Sequence, residues 1–113
     1  MLKHLVATSS DWGQLQGIDR EIIDELIELT PDSWNAAVLE VVYSAEQGIE
    51  KYAHVILSPE GHKDLIYPSE KIFAATHQLG LLFRRYGRRW RKAKYEVRLQ
   101  DDGTWKYIVD FEY

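Results

Sequence analysis

Residues Trp90 to Tyr113 read WRKAKYEVRLQDDGTWKYIVDFEY, a stretch with the alternation of a β-hairpin. In its first arm Arg91, Ala93, Tyr95, Val97 and Leu99 share one face, and Trp90, Lys92, Lys94, Glu96 and Arg98 share the other. Only the former is mainly apolar. In the second arm Trp105, Tyr107, Val109, Phe111 and Tyr113 alternate with Lys106, Ile108, Asp110 and Glu112. Asp101-Asp102-Gly103 forms the hinge. A three-residue loop with glycine in the left-handed position sets Leu99 opposite Trp105, Val97 opposite Tyr107 and Tyr95 opposite Val109. The expectation is a hairpin with one buried, aromatic-rich face that closes the chain at Tyr113 and carries no recognisable catalytic group.

The rest of the chain supplies the layer on which such a face packs. Leu15, Ile18, Ile22, Leu26 and Leu29 recur at three- and four-residue steps, so Asp11 to Thr30 reads as a helix capped by Ser10 or Asp11 and ended by Pro31. Gly13 and Gly17 weaken its first turns and allow a start as late as Ile18. Ala36 to Tyr43 is apolar on both alternating faces except at Glu40, as in an interior strand. Glu46-Gln47-Gly48 marks a turn, Ile49 to Leu57 a second strand, Pro59-Glu60-Gly61 another turn, and Lys63 to Tyr67 a short third strand. A second helix opens at Pro68-Ser69-Glu70, runs on the stripe Ile72, Ala75, Leu79, Leu82, Phe83 and Tyr86, and ends at Gly87. The expected fold is α+β, in the order α-β-β-β-α-β-β: an antiparallel sheet of about five strands with two helices packed on one face. With no repeat, low-complexity segment or linker, residues 1–113 form a single domain.

A chain of 113 residues buries roughly two thirds of its unfolded surface, enough for a true core. There are no cysteines, which excludes disulfides, thiolate metal sites and a cysteine nucleophile. The short apolar run Leu5-Val6-Ala7 falls below the length of a signal-peptide core or a membrane span, so a soluble, cytoplasmic protein with no membrane partner is expected. The net charge of −4 argues against a general nucleic-acid binder. Its distribution is bipolar. Asp19 to Asp32 holds six acids and one base, whereas Arg84 to Lys94 holds seven bases and no acid.

His4, His54, His62 and His77 form no HxH or HExxH pair and no nucleophile context, so structural roles are expected for them and no metal or cofactor is implied. Glu40 is the one acid inside an apolar run, and an outlet to solvent on a sheet face accounts for it. No acid–base pair for catalysis is evident, and neither an enzyme nor a small-molecule substrate is expected. Arg84, Arg88, Arg89 and Arg91, interleaved with Trp90, are the candidates for contact with RNA, whose bases stack on aromatic and guanidinium planes. A structural account competes: Arg84 and Arg85 complement the dipole at a helix C-terminus, while Lys94 and Lys92 face Asp110 and Glu112 across the hairpin. On the first helix Glu21, Asp24, Glu25 and Glu28, with Asp32 beyond it, are expected to lack basic i, i+4 partners and to be free to meet an external basic surface.

Pro31 and Trp34 after an amphipathic helix, three strands, a second helix, and then Trp90, a strand, Asp102-Gly103, an aromatic strand and the closing Asp110-x-x-Tyr113 form a pattern over roughly Ile22 to Tyr113. In this pattern the chain resembles the YezG-like family of antitoxin and immunity proteins of bacterial polymorphic toxin systems, including those of contact-dependent growth inhibition. Met1 to Ser10 and the arginine-rich turn between Tyr86 and Lys94 depart from it. The resemblance implies a small cytoplasmic α+β protein that neutralises a cognate toxin domain, often a nuclease, in a tight 1:1 complex. A nuclease groove is basic, so Glu21, Asp24, Glu25, Glu28 and Asp32 are the expected toxin-binding face, assisted by Asp101 and Asp102. Trp34 or Trp12, left exposed beside them, would be the hot spots. The alternative is a small RNA-binding module built on residues 84–94.

Overall fold

A computed structural model describes residues 9–85, 87 and 90–113, with side chains from Leu15 onward. Helix α1 (Ser9–Leu29) is followed by β1 (Ala36–Glu46), β2 (Ile49–Leu57), α2 (Glu70–Arg84), β3 (Lys92–Leu99) and β4 (Trp105–Glu112). The four strands form one antiparallel sheet in the order β2-β1-β3-β4, with both helices on one face. The chain thus places two α-β-β units side by side, joined through their first strands.

The C-terminal hairpin has the register its alternation predicts: Leu99 pairs Trp105, Val97 pairs Tyr107 and Tyr95 pairs Val109. Its loop closes with Gln100 N donating to Thr104 O at 2.7 Å and Gly103 N to Gln100 O at 3.0 Å, and Gly103 takes φ 86°. The β1–β2 turn is tighter. Glu46 pairs Ile49, and Gln47 and Gly48 both take positive φ (52° and 80°), the two-residue geometry that matches strand twist. β1 therefore continues three residues past the expected Tyr43.

α1 is helical from Ser9, ahead of the expected Asp11, so Gly13 and Gly17 do not delay it; Thr30 N closes its last turn on Leu26 O and Pro31 follows. Ser69 caps α2 by accepting from Ile72 N, and Gly87 stands in the left-handed conformation after its end. The core consists of Leu15, Ile22, Ile23 and Leu26 from α1, Ile72, Ala75, Leu79, Leu82 and Phe83 from α2, and the inward row Ala37, Leu39, Val41, Ala93, Tyr95 and Val97 from the central strands. Each fully buried Leu or Ile here contributes about 1.5–3 kcal/mol. Tyr86 lies outside the described residues.

The expected third strand, Lys63 to Tyr67, does not form, which makes the sheet four-stranded and the order α-β-β-α-β-β. This segment must climb from the end of β2 to the start of α2 in the helical layer. Its side chains serve that path: Asp64 accepts from Trp34 Nε1 at 3.2 Å, the His62 ring stacks on the Trp34 indole with centroids 5.6 Å apart, and Ile66 packs on the core, leaving Leu65 and Tyr67 exposed. A strand beside β2 would give up all three contacts.

Candidate partner-binding surface

The acidic face of α1 follows from helical periodicity. With Leu15, Ile22, Ile23 and Leu26 buried, Glu21, Asp24 and Glu28 fall on the opposite side and are exposed. Glu25 is turned toward α2, where its carboxylate lies 4.0 Å from Lys71 Nζ. The expectation that these acids lack i, i+4 bases is corrected at one position: Arg20 Nε donates to Asp24 Oδ1 at 3.1 Å. Both groups are exposed, so the pair adds little stability.

Asp19 is different. It sits within the apolar stripe, buried, and accepts a hydrogen bond from Tyr95 Oη at 2.7 Å. Burial raises its pKa to about 6, against the opposing pull of the Tyr95 hydroxyl. The same burial, followed by the nearby Asp19 charge, pushes the Tyr95 phenol well above its ordinary value.

The topology brings further acids to the end of the molecule where α1 finishes. β1 starts there, β2 ends there, and the β3–β4 tip is tied to it by Leu99 N donating to Asn35 O at 2.8 Å. Asp32, Asp101 and Asp102 are exposed at this end. Asp102 accepts from Thr104 N (3.0 Å) and Thr104 Oγ1 (2.6 Å), and these bonds hold its carboxyl below the usual range. Glu60 joins them. Its Oε1 accepts from Asn35 N at 2.8 Å, the main reason its pKa is lowered.

Trp34 does not have the expected exposure. It is 1% exposed, under His62 and bonded to Asp64, and so anchors the acidic end from inside rather than meeting a partner. The Trp12 side chain lies outside the described residues. An exposed aromatic at this end is Tyr107 on β4, 49% exposed, beside the part-buried Trp105. Sequence reasoning assigned both to a buried face. The available signal was arithmetic: two helices must cover four strands, and β4 is a sheet edge.

The basic segment lies at the opposite end, with the β1–β2 turn. The Arg84 guanidinium pairs with Glu50, whose carboxylate also accepts from Tyr43 Oη at 3.2 Å. Trp90 is 3% exposed and packs against Tyr43, Tyr52 and Phe111, so its indole is not available to stack on a base. Arg91 is exposed; Arg88 and Arg89 lie outside the described residues. Gly80 lets this cluster close, because a Cβ there would stand 2.2 Å from Tyr52 Oη.

The histidines have separate surroundings. His54 Nε2 lies 3.0 Å from Thr76 Oγ1, its ring meets Phe73 edge-on, and burial lowers its pKa. His77 is exposed on α2, and His4 lies outside the described residues. Glu40 faces the open side of the sheet, with Lys92 Nζ 3.0 Å from Oε1. Among the described residues no group of three His, Asp or Glu is placed to hold a metal ion, and no helix is long and apolar enough to cross a membrane. No protein-family model matches the chain, and no curated protein matches it significantly.

Proposed function

We propose that this protein is an immunity protein: it binds a cognate bacterial toxin domain, a nuclease with a basic substrate groove, and neutralises it in a tight 1:1 complex. The family resemblance supplies the class of partner. The observation that carries the surface is the convergence of Asp24 and Glu28 on α1 with Asp32, Asp101 and Asp102 at one end of the fold, next to the half-exposed Tyr107. A surface of this sign attracts a basic groove over a distance and speeds association, while a partly exposed tyrosine supplies a contact of the kind that dominates interface energy.

The test is co-purification with the toxin domain encoded beside it, followed by association kinetics of the double variant Asp24→Lys/Glu28→Lys. Association should slow by about 10-fold or more at low salt, with the difference shrinking as salt rises. Unchanged kinetics would remove the acidic end from the interface. Failure to bind or inhibit the toxin would remove the immunity reading itself.

A further inference from the structure

The acids at the end of the fold where α1 finishes use their carboxylates differently. Asp102 accepts from Thr104, two residues further on, and so organises its own turn. Glu60 reaches back 25 residues to the start of β1: Oε1 accepts from Asn35 N at 2.8 Å, Oε2 accepts from Asn35 Nδ2 at 3.4 Å, and the Ala36 N–H donates to the same carboxylate. His62 Nε2 stands 3.6 Å from Oε1. With these neighbours little of the carboxylate is left for another protein. The carbonyl of the same Asn35 accepts from Leu99 N at 2.8 Å, and Leu99 is the last residue of β3 before the hairpin tip. We infer that Glu60 is a positioning residue: acting through Asn35, it fixes the tip with Asp101 and Asp102 relative to Asp24 and Glu28 of α1, and it does not itself meet the toxin.

This role rests on the immunity reading, because that reading needs the two groups of acids to keep their spacing. Asp24, Glu28 and Asp32 belong to the first α-β-β unit, Asp101, Asp102 and Tyr107 to the second, and Glu60 to the connection between them. The β1–β3 ladder begins at the pair Ala36–Arg98, so the bond from Leu99 N to Asn35 O is the outermost one at this end. A ladder opens first at such a place unless something holds it. Glu60 holds it with an ionised acceptor, which makes stronger hydrogen bonds than a neutral one. The neighbouring Trp34 is buried under the His62 ring and bonded to Asp64, so the connection grips two consecutive residues, one by its side chain and the other by its peptide. A surface ordered in this way before the toxin arrives loses less freedom on binding and releases its partner more slowly.

Glu60→Ala and Glu60→Gln remove the same charge, but only glutamine keeps a side-chain oxygen for Asn35 N. Amide exchange of the free, full-length chain should show the Leu99 amide exchanging roughly 3- to 10-fold faster in Glu60→Ala and within about twofold of the parent in Glu60→Gln. Toxin dissociation should follow the same order, faster for alanine than for glutamine, while association slows equally and modestly in both. Unchanged exchange at Leu99 in Glu60→Ala overturns the proposal on the free chain, whatever the toxin does. Equal acceleration of dissociation by the two variants overturns it as well, because Glu60 is then a charged contact. Failure to bind the toxin, with Leu99 still exchanging faster in Glu60→Ala, removes the immunity reading and keeps the hold of Glu60 on the tip.

Discussion

The β1–β2 and β3–β4 hairpins are built with opposite faults. β1–β2 has a well-covered inner face, where Leu39, Val41 and Ile56 are buried, and an outer face on which Val42, Val55 and Leu57 are exposed while Ala36 and Val38 are buried. β3–β4 has an outer face of paired charges, Lys94 against Asp110 and Lys92 between Glu112 and Glu40, while its inner face runs out of cover at Tyr107. Each hairpin therefore leaves one apolar surface open, on opposite faces and at opposite edges of the sheet. The difference separates two kinds of exposed surface: aliphatic side chains on the outer face of β1–β2, and a tyrosine set among acids on the inner face of β4.

The largest break in this comparison comes from cutting one residue of each inner face. Leu39→Ala in the fully buried row should cost about 2–5 kcal/mol in denaturant unfolding, because a cavity is left under both helices. Tyr107→Ala should cost under ~1 kcal/mol yet weaken toxin binding. Equal losses of stability would mean that β4 is covered after all.

Asp19 sharpens the contrast through pH. Its folded pKa of about 6 exceeds the 3.8 of an ordinary aspartate, so between those values the folded chain keeps a proton that the unfolded chain has lost. Stability from this group is present below pH ~4, falls as pH rises toward 6, and is flat above that, a total loss of at most ~3 kcal/mol at 1.36 kcal/mol per unit. Asp19→Asn keeps an acceptor for Tyr95 Oη and removes the ionisation. It should raise the melting temperature at pH 7.5, leave it nearly unchanged at pH 4, and flatten the profile between. A variant equally destabilised at both pH values would show that the carboxylate is needed for packing instead.

The turns give the smallest effects, with opposite signs. Gly103→Ala, at φ 86°, should destabilise by about 1 kcal/mol. Gln47→Asn, at φ 52° in the first position of the two-residue turn, should stabilise by a few tenths, roughly 0.3–0.8 kcal/mol, because asparagine tolerates that conformation better. Thermal unfolding of the two variants side by side resolves both.

What was legible in the sequence was whatever a period carries. The C-terminal register, the opening of α2 at Pro68-Ser69-Glu70 and the stripes of both helices are local patterns: the register holds pair by pair, α2 begins at Glu70, and Leu15, Ile22, Leu26, Ile72, Ala75, Leu79, Leu82 and Phe83 are buried, with Ile18 and Leu29 partly so. Long-range facts escaped. Lys63 to Tyr67 has strand-like composition, but the path from sheet layer to helix layer is set by where α2 docks. Trp34 reads as an exposed aromatic until His62 and Asp64, some thirty residues on, arrive to cover it. Asp19 was the readable miss. It stands four residues after Leu15 and three before Ile22, inside the stripe, so helical spacing puts its carboxylate in the core, where a buried polar group needs a partner, and in the structure Tyr95 Oη supplies it. Of the acidic end, the α1 face was visible in helical spacing. Its meeting with the hairpin tip depends on β1 pairing with β3.

The stretch between β2 and α2, held by Glu60 on Asn35, by His62 and Asp64 on Trp34 and by Ile66 in the core, shows Leu65 and Tyr67 to solvent and is also the covalent link between the two α-β-β units. Among the described residues, a protease that prefers large apolar residues has its most accessible target there, at Leu65 and Tyr67. The cut would not release either half. The strands that join them, β1 and β3, lie at the centre of the sheet and pair over seven residues from Ala36 to Val42. A nicked molecule would migrate as one particle under native conditions and as two pieces once denatured, so the same two halves, produced as separate chains, are a natural pair for complementation.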